Sequence, residues 1–199
     1  MKDGNLRDEL VKVSRLAQER GLIVATDGNA SALTDRGTVL ITPSGIRKDI
    51  LRPAQVVEMD LSGRLVAGRL RPSSEFRLHL AAYRARPDVR SVIHLHPCIS
   101  VALAIAGVRV RTDMVPRETL CGLAKVPVVR FAPPGSVALA TAAARALRSS
   151  VGALLDRHGS VTVGLNPVEA YNRAEKIEQL AALTLLTLVT SNVGPGRRR

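Results

Sequence analysis

"SVIHLHPC", Ser91–Cys98, places two of the chain's four histidines one residue apart in an otherwise apolar run. Side chains along a strand alternate between its faces, so residues at i and i+2 project together. His94 and His96 then share one face with Val92, and Ile93 and Leu95 take the other. Read as a strand, this run is the centre of an interleaved series of strands and helices.

Upstream, "RPSSEFRLHLAAYRARPD" predicts a helix from about Glu75, with Ser73 or Ser74 capping it and Pro87 ending it. His79 on that helix is either a surface residue or a satisfied one. "QVVEMDLSGRLVAG" reads as two short strands around an Asp60-to-Gly63 turn, and "TVLITPSGI" as a strand that bends at Pro43-Ser44-Gly45. "GLIVATDGNASAL" is an apolar run broken by a turn. Leu6, Leu10, Val13 and Ala17 fall at helical spacing behind an Asn5 cap, with Gly21 as the stop. Downstream come an Ala-rich helix to Gly107, a "VPVVRF" strand, and a helix capped by Ser136 that runs to about Leu147. "GALLDRHGSVTVG" then gives two apolar runs split at His158-Gly159. The last helix opens on Asn166-Pro167-Val168-Glu169, with Asn as cap, Pro at the first position and Glu reaching back. Ala170, Ala174, Ile177, Ala181 and Leu185 mark its buried face, and "LAALTLLTLVTSNVG" from Leu180 reads as the end of a buried helix, too short for a bilayer. Without repeat or linker, the expectation is one compact α/β domain over residues 1–199.

Composition narrows the function. Hydrophobic residues make up 46% of the chain and aromatic residues 2%, so the core is built from Ala, Val, Leu and Ile. No apolar h-region follows Met1 and the cysteines, Cys98 and Cys121, make no disulfide framework, which reads as a cytoplasmic chain. The net charge of +12 invites nucleic acid. Against that, the arginines are scattered from Arg7 to Arg173, only the terminal "GRRR" forms a block, and there are almost no aromatics for base stacking. Nucleic acid is therefore not the expected partner, nor is a membrane. The same charge suits small phosphorylated substrates.

His94, His96 and His158 offer three neutral imidazoles, the usual number of protein ligands at a catalytic zinc. Glu75 can serve as a fourth ligand or, when displaced, as an acid or base. On spacing alone an H-x-H pair is as readily structural, and a lone His before Gly is ordinarily a turn residue. Three small-polar clusters, Thr26-Asp27-Gly28-Asn29, Thr42-Pro43-Ser44-Gly45 and Ser73-Ser74, have the chemistry of anion-binding turns, though each alone also reads as an ordinary turn or cap.

In order along the chain, "GLIVATDGNASAL", "LITPSGI", "PSSEFRLHLAAYRARPDVRSVIHLHP", "VPVVRFAPPGS" and "ALLDRHGSVTVGLNPVEAYNRAEKIEQLA" together resemble the class II aldolase/adducin family. The resemblance implies a three-layer α/β/α sandwich with a largely antiparallel central sheet, usually a four-fold homotetramer with active sites between subunits. It also implies Zn²⁺, or another divalent ion such as Mn²⁺ or Co²⁺, on His94, His96 and His158 with Glu75 beside it. Thr26, Gly28, Asn29, Ser44, Gly45, Ser73 and Ser74 match the substrate-phosphate positions. The implied reaction is aldol cleavage of a ketose 1-phosphate, of the fuculose-phosphate or deoxypentulose-phosphate type, to dihydroxyacetone phosphate and an aldehyde. Dehydration of methylthioribulose 1-phosphate and sugar-phosphate 4-epimerisation are the alternatives on the same site, and a non-catalytic adducin-like module is a third. The chain departs from the family at a tyrosine acid/base. Tyr83 and Tyr171 both fall in helices, and Glu118, or less well Asp113, stands near that position.

Overall fold

The computed structural model describes residues 3–192; the basic "GRRR" block lies outside the described residues. Eight strands form one sheet: β1 (Asn29–Leu33), β2 (Val39–Ile41), β3 (Val57–Met59), β4 (Leu65–Ala67), β5 (Ser91–Leu95), β6 (Val128–Val129), β7 (Gly152–Leu155) and β8 (Gly159–Gly164). Their spatial order is β4-β3-β2-β1-β5-β8-β7-β6, and every pairing is antiparallel except β6 with β7. The helices are α1 (Asp3–Glu19), α2 (Phe76–Ala85), α3 (Cys98–Ile105), α4 (Val137–Leu147) and α5 (Pro167–Asn192).

Strand alternation sorts the core into layers. Val92 joins Val161 and Val163 against Leu78 and Leu80 of α2 and Leu139 and Leu147 of α4. Ile93 and Leu95 point the opposite way, against Leu10 of α1 and Ala170 and Ala174 of α5. Beside them Leu154 packs with Leu103 of α3 and with Ile177 and Leu180 of α5. The result is the expected α/β/α sandwich, with α2 and α4 on one face and α1, α3 and α5 on the other. Fully burying each such aliphatic side chain is worth about 1.5–3 kcal/mol, which is how a chain so poor in aromatics closes its core.

Helix ends follow local chemistry in two cases. Ser136 Oγ accepts the Leu139 N–H at 3.1 Å and starts α4. At α5, Asn166 Oδ1 accepts the Glu169 N–H at 2.8 Å, and the Glu169 carboxylate accepts from Leu165, one residue further back than a standard capping box. Glu178 of α5 accepts the N–H groups of Ile99 and Ser100, both at 2.9 Å, and so caps α3, the helix that follows His96.

Four expectations are corrected. Asn5 lies inside α1, which has already begun at Asp3, and so does not cap it. Neither Ser73 nor Ser74 caps α2: Glu75 occupies the cap position, and Ser73 Oγ accepts the Glu75 N–H instead. The "VPVVRF" run contributes only Val128–Val129, because it is a sheet edge pairing with β7 alone. The far end of α5 is not buried. Ile177, Leu180 and Ala181 are covered, but Leu183, Leu185, Leu186, Leu188 and Val189 are exposed, since the helix runs past its α3 neighbour. Among the described residues no helix is long and apolar enough to cross a membrane.

Ile177→Ala is expected to cost about 2–5 kcal/mol by cavity formation, and Ser136→Ala about 1 kcal/mol by loss of the α4 cap. Urea unfolding midpoints of the two variants check both figures and their order.

Candidate metal centre

The register of three neighbouring strands builds the site. β5 is flanked by β1 and β8, with His94 directly opposite Asn29 on one side and Val161 on the other. His96 sits just past the end of β5, its N–H donating to Leu22 O at 3.1 Å. His158 stands in the turn between β7 and β8, and Glu75 at the start of α2.

These four side chains converge. His94 Nε2 lies 3.0 Å from His96 Nε2, 3.2 Å from His158 Nε2 and 2.8 Å from Glu75 Oε2. His158 Nε2 is 3.3 Å from Glu75 Oε1, and one potential ligand atom from each residue falls within 4.8 Å of the rest. A tetrahedral ion with bonds of about 2.0–2.1 Å spaces its ligand atoms about 3.3–3.4 Å apart, so the donor set fits such an ion.

Proton accounting supports the same conclusion. His94 Nδ1 is 2.8 Å from Ser160 O, which can only accept, so Nδ1 carries the proton and Nε2 presents a lone pair to the cluster. The Asp27 carboxylate is 3.4 Å from His96 Nδ1 and fixes that ring the same way. Among the described residues, His158 Nδ1 and Glu75 Oε1 are buried without a hydrogen-bond partner. Burial, and then the charges of His94 and His158, push His96 down to about 4, leaving it neutral near pH 7. Burial opposes ionisation of Glu75, but the imidazoles of His94 and His158 prevail and hold its carboxyl well below the usual range. A carboxylate and imidazole lone pairs facing one space suit a divalent cation.

Gly159 makes the convergence possible. A Cβ there would fall 2.2 Å from Leu95 O, 2.9 Å from His96 Cδ2 and 3.0 Å from His94 Cε1. The Gly of "RHG" is thus required first by the Leu95 carbonyl and then by the two imidazoles opposite it.

The small-polar clusters also come together. Ser73 N–H donates to Thr42 O at 3.2 Å and Ser44 N–H to Arg71 O at 3.0 Å, so the second and third clusters run side by side into Glu75. Thr42 Oγ1 accepts the Ala30 N–H at 3.1 Å and joins them to the first. Thr26, Ser44, Gly45 and Ser74 are exposed, whereas Ser73 and Asn29 are buried. Gly28 has φ +69, and a side chain there would meet Ile23 and the His94 carbonyl, so its need is conformational and steric. The Asn29 amide faces inward, between Glu75 and His79.

Glu118 does not join the cluster. It is exposed on the short 3₁₀ turn Arg117–Thr119, with no hydrogen bond or ion pair among the described residues. Asp113 is engaged elsewhere, in a two-pronged pair with Arg111 at 2.8 and 3.1 Å.

The sequence reading missed Lys48, which follows Arg47 in "GIRKDIL" with nothing local to mark it. Its buried Nζ donates to Thr26 O at 3.0 Å and Ile46 O at 2.9 Å, clamping two of the clustered loops together. Asp27 belongs to a motif visible in the sequence, but its hold on His96 is a contact that no sequence spacing encodes.

Known proteins show the same arrangement of chain. The family described as Class II Aldolase and Adducin N-terminal domain matches residues 8–185. An L-fuculose phosphate aldolase from Methanocaldococcus jannaschii is 32% identical over 183 residues, covering 92% of this chain and 97% of that protein. A 3-oxo-tetronate 4-phosphate decarboxylase from Pectobacterium atrosepticum is also 32% identical, over 90% of this chain and 84% of its own length. The crystal structure of L-fuculose-1-phosphate aldolase from Thermus thermophilus superposes with a TM-score of 0.85 at 32% identity, over 96% of this chain and 98% of that one.

Two outcomes test this geometry. Gly159→Ala is expected to weaken Zn²⁺ binding at least about tenfold in a competing-chelator titration, by displacing the imidazoles. Burial lowers Lys48 from 10.5 to about 8, against the opposing pull of Asp27. Between those values the unfolded chain binds more protons than the folded one, so stability gains from rising pH. Urea unfolding is expected to show the wild type gaining on Lys48→Met from about pH 8 to 10.5, with a constant difference below pH 7.

The family match over residues 8–185, the 32% identity to an aldolase along nearly the whole chain and the shared fold show that the chain belongs to the class II aldolase and adducin N-terminal domain family, on its enzymatic side.

Proposed function

We propose that the protein is a zinc-dependent aldolase that cleaves a ketose 1-phosphate, of the fuculose-phosphate or deoxypentulose-phosphate type, to dihydroxyacetone phosphate and an aldehyde. The observation that carries this reading is the meeting of His94, His96, His158 and Glu75 within 4.8 Å, beside turns rich in hydroxyl and amide donors. The three histidines hold the ion, with Glu75 as the displaceable fourth group. When bound, the ion supplies a Lewis acid that stabilises the negative charge left as the carbon–carbon bond breaks.

The chain's own residues supply position and proton transfer. Thr26, Ser44, Gly45 and Ser74 face solvent at the site and are the groups we assign to the substrate phosphate, and Lys48 keeps their loops in register. Holding the phosphate fixes the reacting carbons relative to Glu75 at little further entropic cost. Glu75, ionised at rest, takes the proton from the carbon next to the carbonyl in the condensing direction and, once protonated from solvent, delivers it there in cleavage. Glu118 on its exposed turn is assigned the second proton, that of the departing or incoming oxygen. The exposed apolar side chains Leu183, Leu186 and Val189 on α5 support assembly with further copies, and the tetramer with shared sites belongs to this proposal, as does a cytoplasmic location.

The decarboxylase relative, as similar in sequence as the aldolase, favours a second reading: loss of CO₂ from a phosphorylated oxo-acid on the same cluster. Both reactions break a carbon–carbon bond next to a carbonyl and leave the electron pair to be stabilised at its oxygen.

Metal-loaded protein incubated with a panel of ketose 1-phosphates is expected to release dihydroxyacetone phosphate, read by a coupled reductase. Glu75→Gln should lower kcat about 10²–10⁴-fold. Release of CO₂ from an oxo-acid phosphate with no aldol cleavage would establish the second reading. Loss of water without carbon–carbon cleavage, abolished by Glu118→Gln, would replace both with a dehydratase.

A further inference from the structure

Behind Glu75 runs a line of buried polar side chains that the proposed reaction does not use. Asn29 Nδ2 lies 3.4 Å from Glu75 Oε2. Asn29 Oδ1 is hydrogen-bonded to His79 Nε2, His79 Nδ1 lies 2.7 Å from Ser31 Oγ, and Ser31 Oγ lies 2.7 Å from the Tyr83 hydroxyl. Asn29, Ser31, His79 and Tyr83 are all buried, with His79 and Ser31 wholly so.

The direction of every bond follows from what each atom can do. The Glu75 carboxylate only accepts, so the amide end of Asn29 must face it and donate. That turns Asn29 Oδ1, an obligate acceptor, toward His79, whose Nε2 must then carry the proton. In a neutral ring Nδ1 is then an acceptor, and among the described residues the donor beside it is the Ser31 hydroxyl. Ser31 in turn accepts from Tyr83. From Tyr83 onward, every proton points toward Glu75. The opposite tautomer would set two acceptors against each other at the His79–Asn29 contact, and a flipped Asn29 would do the same at Glu75.

We propose that His79 is a positioning residue: as its neutral Nε2–H tautomer it locks the Asn29 amide with the NH₂ group toward Glu75 Oε2, and so fixes the carboxylate that completes the four-residue cluster. The inference rests on the metal-site reading above only for its consequence; the hydrogen-bond direction stands without a metal. His79 touches neither ion nor substrate. It acts through Asn29, on a side chain that must sit within a few tenths of an ångström of its place.

The test uses the full chain. Nitrogen-15 NMR of the histidine rings, without added metal, is expected to show His79 protonated at Nε2 and bare at Nδ1. His79→Gln retains a donor toward Asn29, whereas His79→Phe retains only volume. Zn²⁺ competition titrations are expected to show His79→Phe weakened about 10–100-fold and His79→Gln restored to within a few-fold of wild type. Ser31→Ala, a milder change should the Phe variant fail to fold, removes only the Nδ1 partner and is expected to keep the Nε2–H tautomer, which the Asn29 contact sets. An Nδ1–H tautomer in the wild type overturns the proposal. So does equal weakening by Gln and Phe, which assigns the residue to packing alone. If His94→Ala leaves Zn²⁺ affinity unchanged, the metal reading fails instead, and the tautomer result is judged by itself.

Discussion

Three imidazoles and a carboxylate crowd into one small space, and the fold holds them there regardless. His94 Nε2 stands within 3.2 Å of three other potential ligand atoms, with its own proton committed to Ser160 on the far side of the ring. Such an arrangement is unfavourable without positive charge at its centre. It survives because its four members come from a strand, the segment just past that strand, a tight turn and a helix start, each fixed by its own packing. The energy that keeps them together comes from the layers of the sandwich.

That dependence explains several features with no direct part in the chemistry. β5 lies between β1 and β8, so His94 gains a ladder neighbour on each side and cannot twist away. Gly159 leaves room for the imidazoles on the adjoining strand, and Glu178 reaches from α5 to tether the helix that begins beyond His96. Lys48, buried at a cost in charge solvation, ties the Thr26 carbonyl to the Ile46 carbonyl and so joins two loops. Asn29 serves both Glu75 and His79, which makes the carboxylate continuous with the buried core of α2.

Much of this was legible along the chain. Alternation within "SVIHLHPC" put Val92 and Ile93 on opposite layers, and the Asn166–Glu169 start of α5 announced itself because capping is local chemistry. The caps assigned to Ser73 and Asn5 were misread for the same reason that makes such residues ambiguous: a short hydroxyl or amide beside a helix also binds other backbone groups. Ser73 Oγ took the Glu75 N–H, and Asn5 proved to lie inside its helix. The periodic run at the end of α5 read as core up to Leu185, yet past Ala181 only Thr184 is buried among the described residues, since periodicity records which residues share a face and not how far the neighbouring elements extend.

Strand and helix order, the alternation of the core and the four residues that converge can be read along the chain, because they follow from local spacing and from an ordered set of motifs. Packing in three dimensions is what makes Asp27 orient His96, Lys48 span two loops, Glu118 stand apart from the cluster, and a histidine read as surface or satisfied belong to a chain of hydrogen bonds ending at Glu75. Apart from the isolation of Glu118, each of these joins residues remote in sequence through atom-to-atom contacts. Spacing carries no record of such contacts, since they come into being only when the layers pack.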